Sequence, residues 1–231
     1  MKKIFTLVLV CICAYAHPQK IVFGQDVKSD TVRPTKGPNL KNYTHVFLDL
    51  GFPLFTGEAQ DYTKPGASMI VDYGFRYKRR MSNTFALGFD LSVNWAAFKI
   101  KQDDGKSIPD STINKKEKFQ VNSLSPDVYI RINAGRRGNF IGKYLDLGAF
   151  GSWNWEKAHK TQNKNAGGEL VKTTTLRLTY VEDFSYGVLA RIGMNRFALA
   201  VKYRLSNLFT KSSAFAEVPR FSARLEIGLF K

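Results

Sequence analysis

The sequence predicts an all-β fold: an eight-stranded antiparallel up-and-down transmembrane β-barrel with long extracellular loops and short periplasmic turns. Three observations predict it. Apolar and polar residues alternate with a period of two, as in "FALGFDLSVNW" (85–95), which places one set of side chains on each face of an extended strand. The connections between such runs alternate in length, and charged residues recur on the face opposite the apolar one.

The N-terminal segment 1–16 is expected to be a secretory signal peptide. Two lysines precede an apolar run of about ten residues, and the tripeptide AYA forms a small-x-small cleavage site. A membrane anchor is the alternative, but a spanning helix needs about twenty apolar residues. Segment 17–42 is polar and contains prolines, so we interpret it as a periplasmic lead-in, and 43–231 is left for the barrel.

The eight alternating runs are 43–52, 68–78, 85–98, 119–134, 140–155, 176–193, 197–206 and 219–230. No helical period of 3.6 competes with them. The connections 53–67, 99–118, 156–175 and 207–218 are long and polar, whereas 79–84, 135–139 and 194–196 are short hairpin turns. Long connections at one end and short ones at the other are typical of outer-membrane barrels.

Charged side chains on the non-apolar faces form a predicted charge lattice. It comprises Asp49, Asp72, Arg76, Asp90, Asp127, Arg131, Asp146, Arg191, Lys202, Arg204, Arg224 and Glu226. The opposite faces are apolar and carry aromatics near the strand ends, among them Phe52, Trp95 and Tyr144. A soluble barrel of the lipocalin type would line its interior with the apolar face and would need no aromatic ends, which membrane barrels place at the lipid interfaces. We therefore expect the apolar face to contact lipid and the charge lattice to fill the interior, where bidentate pairs satisfy the charges.

Three segments carry a family resemblance. They are the hairpin VYIRINAGRRGNFIGKYLDLGAFGSW (128–153), the segment YRLSNLF (203–209) and the closing RLEIGLF (224–230). They resemble the small eight-stranded outer-membrane β-barrels of Gram-negative bacteria, the OmpA/OmpX-like family. The resemblance covers 43–231 and implies an outer-membrane β-barrel domain located in the cell outer membrane.

No residue pattern points to catalysis, a cofactor or a metal site. The two cysteines, Cys11 and Cys13, both lie in the expected signal peptide, so the mature chain offers no thiol. His17 lies in the lead-in, His45 begins the first strand, and His159 is expected to be a solvated loop residue. None of the three stands in a recognisable nucleophile or metal constellation.

The net charge of +16 is unevenly distributed. Basic residues cluster at the short turns without an acid inside those turns. This basic periplasmic rim comprises Lys78, Arg79, Arg80, Arg136, Arg137, Lys143 and Arg196. One interpretation is anchoring to anionic lipid headgroups; the other is a docking face for an acidic periplasmic or outer-membrane protein partner. Nucleic acid is not expected as a partner, because the basic residues do not interleave with aromatics.

These observations predict a non-enzymatic integral outer-membrane protein with a structural or interaction role, in contact with outer-membrane lipid and without a cofactor. An eight-stranded interior is just wide enough for side chains to fill, and Phe47, Phe150 and Leu189 are expected to plug it together with the charges. Two alternatives stay open. One is an accessory subunit of an outer-membrane secretion or assembly complex, and the other is a narrow transporter or lipid-modifying barrel enzyme.

Overall fold

The computed structural model describes residues 37–54, 62–64, 66–104, 106, 108–135, 140–165, 167–210, 213 and 215–230. The expected signal peptide and most of the lead-in lie outside these residues. Within the described chain every named element is a strand. No helix in that part of the chain is long and apolar enough to cross a membrane.

Nine β-strands form one antiparallel sheet that closes in a ring. They are β1 (Asn42–Leu54), β2 (Met69–Arg80), β3 (Phe85–Lys99), β4 (Lys116–Ala134), β5 (Lys143–Lys164), β6 (Leu170–Leu176), β7 (Phe184–Met194), β8 (Phe197–Arg204) and β9 (Phe221–Leu229). Their order is β4-β3-β2-β1-β9-β8-β7-β5-β6, and a further pairing of β4 with β5 closes the ring. Among the named strands, β6 pairs with β5 alone.

The ring has a turn end and a loop end. Connections 81–84, 135–142 and 195–196 define the turn end. Connections 55–68, 100–115, 177–183 and 205–220 define the loop end. Three loop-end connections, 55–68, 100–115 and 205–220, are longer than every turn-end connection, as the sequence predicts, whereas 177–183 is no longer than 135–142.

The prediction of a loop at 156–175 is wrong, because most of this segment forms a β-hairpin. β5 continues to Lys164 and β6 runs back beside it, with pairs from Ala158↔Leu176 to Lys164↔Leu170. The Lys, Thr and Asn content of this segment suggests a loop. Every residue of β6 is exposed, however, and a strand that buries neither face does not need alternating apolar residues. The predicted strand 176–193 begins only at Phe184, because Leu178 and Val181 belong to a loop whose apolar side chains are buried at the loop end. With β6 included, the sheet has nine strands where the sequence predicts eight.

The two faces of the strands differ in polarity, and the apolar face points out of the ring. In β3, Leu91 is 39% exposed whereas the neighbouring Asp90 is 0% exposed. The same alternation holds in β2, where Phe75 is exposed and Arg76 is buried. A sheet in water normally buries the apolar set, so this arrangement reverses the usual preference and confirms the predicted assignment of faces.

Aromatic side chains on the outer face lie near both ends of the ring. Phe52, Trp95, Trp153, Trp155, Phe184 and Phe221 lie towards the loop end, and Tyr77, Phe85 and Phe197 towards the turn end. The prediction that Tyr144 lies on the apolar outer face is wrong, because this side chain is buried inside the ring. It shares the inward face with Asp146, two residues along β5, and so cannot face outward.

Glycines on adjoining strands make room for inward-facing tyrosines. Tyr129 lies opposite Gly88 on one side and Gly148 on the other, and Tyr144 lies opposite Gly193. A Cβ atom at Gly88 or Gly193 would collide with the ring of the tyrosine it faces. These two glycines are therefore needed for close approach between a side chain and a backbone.

An apolar cluster closes the loop end of the interior, and we call it the mouth cluster. It combines inward residues of the strand ends, such as Phe98 and Phe119, with residues of the long loops. Its buried members are Tyr62, Ile70, Ala96, Phe98, Ile100, Ile108, Phe119, Val121, Leu178, Val181, Leu208, Phe209 and Val218. The long loops are polar in overall composition, so their sequence does not predict this cluster.

Candidate functional site: a charge network inside the ring

Six buried charged residues form a connected network across the interior, which we call the central network. They are Arg76, Asp90, Arg131, Asp146, Arg191 and Glu226, all from the predicted charge lattice and each at most 2% exposed. The register of the sheet brings most of them together. Arg76 and Asp90 are cross-strand neighbours, and Asp146 lies between Arg131 and Arg191.

Arg76 binds two carboxylates at once. Its Nε and Nη2 donate hydrogen bonds to the two oxygens of Asp90, at 2.8 and 2.7 Å. Nη2 also donates to Glu226 Oε2 at 2.7 Å, and Nη1 donates to Glu226 Oε1. Because β9 is not adjacent to β2, the second pair connects strands that share no backbone hydrogen bonds.

Arg191 links the remaining members. Its Nη1 donates to Asp146 Oδ2 at 2.8 Å and its Nη2 donates to Asp90 Oδ2 at 2.9 Å. Its Nε lies 2.9 Å from Glu226 Oε2. Arg131 completes the network by donating to both oxygens of Asp146, at 2.7 and 2.8 Å.

Aromatic rings pack against the guanidinium groups of the central network. The guanidinium of Arg131 lies 3.6 Å from the centre of the Tyr144 ring, and that of Arg76 lies 4.4 Å from the centre of the Phe47 ring. Tyr129 lies between 5.4 and 5.7 Å from all three guanidinium groups. Such contacts stabilise cations that have lost their water.

The central network is electrically neutral, with three arginines and three carboxylates. Each carboxylate contacts two arginines, and each has at least one bidentate partner. Charge-assisted bidentate bonds are the arrangement that best compensates the loss of hydration on burial. With every carboxylate engaged in this way, the arrangement favours a rigid structural role over acid–base chemistry.

Two further lattice pairs lie closer to the loop end. Lys202 Nζ donates to Asp127 Oδ2 at 2.7 Å, and Arg224 pairs with Asp72, which also accepts a hydrogen bond from Asn94. A cavity of about 90 Å³ borders these cations, several serines and members of the mouth cluster. Its size suits a few water molecules.

The remaining two lattice residues do not join this arrangement. Asp49 is buried, its Oδ1 has no hydrogen-bond partner, and it makes no ion pair with any described residue. Its cross-strand neighbours are two other acids, Asp72 and Glu226. Arg204 pairs instead with Glu217 of the loop that follows β8, at 2.9 Å, because it lies at the loop end of its strand. Arg204 borders the same cavity as Lys202 and Arg224, but it pairs with a loop carboxylate and not with a lattice acid.

The predicted basic rim is only partly at the surface. Arg79, Lys143 and Arg196 are exposed at the turn end and Arg80 is partly exposed. Lys78 is not a rim residue, because its side chain lies on the inward face of β2. It is buried and donates a hydrogen bond to the carbonyl of Pro38. Arg136 and Arg137 lie outside the described residues.

A second polar cluster surrounds Glu117 at the loop end. His159 Nε2 lies 2.7 Å from Oε1 of this carboxylate and Lys106 Nζ lies 2.7 Å from Oε2. Asn114 and Gln102 donate to Oε2 at 2.8 and 2.9 Å. Burial alone would raise the pKa of Glu117, but hydrogen bonds from His159, Lys106 and the two amides lower it to about 2. The cluster therefore attaches the loop 100–115 to β5.

His45 and His159, the two histidines that the structure describes, do not form a metal site with other described residues. The expectation of a solvated loop position for His159 is wrong, because it lies on β5, where its ring contacts Glu117 and lies 5.2 Å from the Phe119 ring. His45 is buried near the turn end between Tyr43 and Phe230, with ring centres 5.3 Å apart in each case. Across the described residues, no group of three or more His, Cys, Asp or Glu side chains could hold a metal ion.

No protein-family model matches the chain, and no curated protein matches it significantly.

The inward charges are predictable from the sequence, but their partners are not. The period of two shows that Arg131 and Asp146 face inward, yet pairing depends on strand register, which alternation does not determine. Glu117 was missed as a site residue because the predicted loop 99–118 includes it. Glu117 precedes Phe119 by two residues on β4, so the two side chains share one face of the strand. This spacing is the signal that could have identified Glu117 as an inward residue.

Proposed function

We propose that this chain is an integral outer-membrane β-barrel of eight membrane-spanning strands, with a structural or interaction role and a closed interior. The observation that carries the proposal is the reversed polarity of the sheet. Large apolar side chains face outward around the ring, whereas six carboxylates and five of the six lattice cations are buried within it. A single sheet closed on itself and apolar on the outside has all of its backbone paired, which a lipid environment requires.

The dimensions of the outer face support this proposal. On β3 the outward apolar face extends from Phe85 to Trp95, ten residues apart. At a rise of roughly 3.3 Å per residue and a tilt of about 40°, this distance corresponds to about 25 Å along the barrel axis, which is the height of the apolar band on outer-membrane barrels. The aromatics at both ends would then lie at the two interfaces.

The ends of the ring support an orientation with the turn end in the periplasm. Exposed Arg79 follows Tyr77 on the outer face of β2, and exposed Lys143 begins the outer face of β5. Basic side chains in these positions can extend to anionic headgroups, so we assign anchoring to the exposed rim residues. In the same orientation β6 and the end of β5 form a hairpin that projects on the extracellular side and offers a surface for interaction.

The packing of the interior supports a barrel that does not conduct. The central network connects strands across the ring, and the mouth cluster fills its loop end. The cavity between them, about 90 Å³, is far smaller than a passage for a solute. A narrow transporter would need these charge pairs to separate, at a high cost in free energy.

Planar-bilayer recording tests this role. The purified, folded protein should insert without producing discrete conductance steps. The variant Arg76→Ala/Arg191→Ala, which removes two guanidinium groups from the central network, serves as the comparison and should raise ion leakage if it folds. Stepwise conductance by the unmodified protein would contradict the proposal.

A further inference from the structure

A concave surface lined by lysines lies at the loop end on the outer side of β3, β4, β5 and β6. Its volume is about 600 Å³. Seven lysines line it, and we call it the lysine groove: Lys64, Lys99, Lys115, Lys116, Lys118, Lys160 and Lys172. Three threonines and Gln162 add hydrogen-bonding groups to the same surface.

Strand register forces three of these lysines together. Lys99 of β3 is the cross-strand neighbour of Lys118, and Lys118 is the cross-strand neighbour of Lys160 on β5. Like charges directly opposite one another destabilise a sheet. Burial and the positive charges of Lys160 and Lys99 lower the pKa of Lys118.

The described part of the chain does not neutralise this charge. No ion pair between described residues involves any of the seven lysines. Glu117 also lines the groove, but its carboxylate is turned inward to Lys106, His159 and two amides. A concentrated positive charge without nearby acids attracts anions, and release from like-charge repulsion adds to the affinity.

The position of the lysine groove indicates the kind of anion. Lys99 follows Trp95 by four residues on the outer face of β3, and Lys160 follows Trp155 by five residues on β5. Trp side chains occupy the level of the headgroups in membrane proteins. The groove therefore begins where the apolar band ends, beside the headgroups of the leaflet at the loop end.

We propose that the lysine groove binds the headgroup of an anionic membrane lipid that carries more than one phosphate, in the leaflet at the loop end. This inference rests on the proposed membrane placement. Each lysine near such a headgroup contributes to the binding free energy through its charge. The groove is also large enough for a headgroup with two phosphates. The bound lipid would offset the repulsion within the row Lys99–Lys118–Lys160.

The test compares two triple variants with the same change in net charge. Lys99→Gln/Lys118→Gln/Lys160→Gln removes the row in the groove. Lys41→Gln/Lys164→Gln/Arg177→Gln removes three exposed basic side chains that do not line it. Binding of fluorescent cardiolipin, which has two phosphates, is measured in non-ionic detergent at several salt concentrations, with phosphatidylcholine as the neutral reference lipid.

We expect the groove variant to lose about a hundredfold in affinity for cardiolipin, at roughly a factor of five for each lysine. The control variant should lose less than about threefold, and affinity for phosphatidylcholine should not change. High salt should weaken the binding of the unmodified protein. Equal losses in the two variants would overturn the proposal, because binding would then follow net charge alone.

Two further measurements separate the possible failures. Without lipid, the groove variant should unfold at the same or a higher denaturant concentration than the unmodified protein, because repulsion has been removed; a lower midpoint would contradict the account of the row. Flotation with neutral phosphatidylcholine vesicles tests membrane insertion alone. If the protein floats but cardiolipin affinity is unchanged by the groove variant, only this inference fails; if it does not float, the proposed function fails and the inference with it.

Tight binding of inorganic hexametaphosphate without lysine-dependent binding of cardiolipin would also overturn it, in favour of a soluble polyanion.

Discussion

Each charged side chain of the central network is stabilised by ion pairs, and the number of partners differs from residue to residue. Arg131 contacts one carboxylate, that of Asp146, whereas Asp146 also contacts Arg191. Removing one member of a buried pair leaves an uncompensated charge, which typically costs about 3–5 kcal/mol. The cost of a substitution should therefore depend on the partners left behind.

A double-mutant cycle on Arg131 and Asp146 tests this dependence. Asp146→Asn should destabilise the protein by about 3–5 kcal/mol, because Arg131 loses its carboxylate. Arg131→Gln should cost less, because Asp146 keeps Arg191. The double variant should cost less than the sum by at least about 1 kcal/mol. Unfolding in lipid bilayers measures the free energies, and a cycle of Asp146→Asn with Lys202→Gln, which share no partner, should be additive. Additive costs in the first cycle would contradict direct pairing.

Asp49 should behave differently from the other buried acids. It makes no ion pair with a described residue and lies between Asp72 and Glu226. Asp49→Asn therefore removes a carboxylate without leaving a cation unpaired and should cost less than about 1 kcal/mol, or stabilise the protein. Asp90→Asn, the matched comparison, removes one carboxylate partner from each of Arg76 and Arg191 and should cost several times more. Equal costs in the same unfolding experiment would show that Asp49 has a stabilising partner.

At the scale of the strand, alternation determines which side chains face inward but not how they fit. An inward tyrosine needs space on the neighbouring strand, and Gly88 supplies it for Tyr129. Tyr129 in turn lies beside the three guanidinium groups of the central network. A methyl group at Gly88 would therefore displace a ring that packs against charges.

The substitution Gly88→Ala should destabilise the protein by about 1–3 kcal/mol through overpacking. Gly151→Ala on β5 is the matched control, because a Cβ atom there meets nothing within 4 Å. The control should be neutral or slightly stabilising, since alanine restricts the unfolded chain more than glycine does. Denaturant midpoints of the two variants provide the comparison. A neutral Gly88→Ala would show that Tyr129 can move at little cost.

Strand positions and faces could be predicted from the sequence because one face is apolar in almost every strand. Where neither face is apolar, as in β6, period-two alternation disappears and the strand was missed. The mouth cluster was missed because residues such as Leu178 and Phe209 stand singly in polar loops and meet only in the folded chain. The partner of Arg204 was missed because it is supplied by a loop, whose path alternation does not describe.

At the scale of the whole molecule, the outer face should tolerate a charge according to its depth. Leu91 lies within the apolar stretch from Phe85 to Trp95, and Ala97 lies beyond it on the same face. In bilayers, Leu91→Arg should cost about 2–4 kcal/mol and Ala97→Arg about 0–1 kcal/mol, as expected for the midplane and the interface. Unfolding titrations in lipid measure both. If Leu91→Arg is as stable as the unmodified protein, the outer face does not lie in the hydrocarbon.

The tryptophans test directly whether the outer face of the ring lies in a membrane. The chain has three tryptophans, and Trp95, Trp153 and Trp155 are all exposed on the outer face near the loop end. Their fluorescence is measured in bilayers whose lipids carry bromine at different depths of the acyl chain, and with iodide in the water. We expect the strongest quenching from bromine near the headgroups, weaker quenching from bromine near the bilayer centre, and little from iodide. Full quenching by iodide with none by any brominated lipid would contradict the membrane placement.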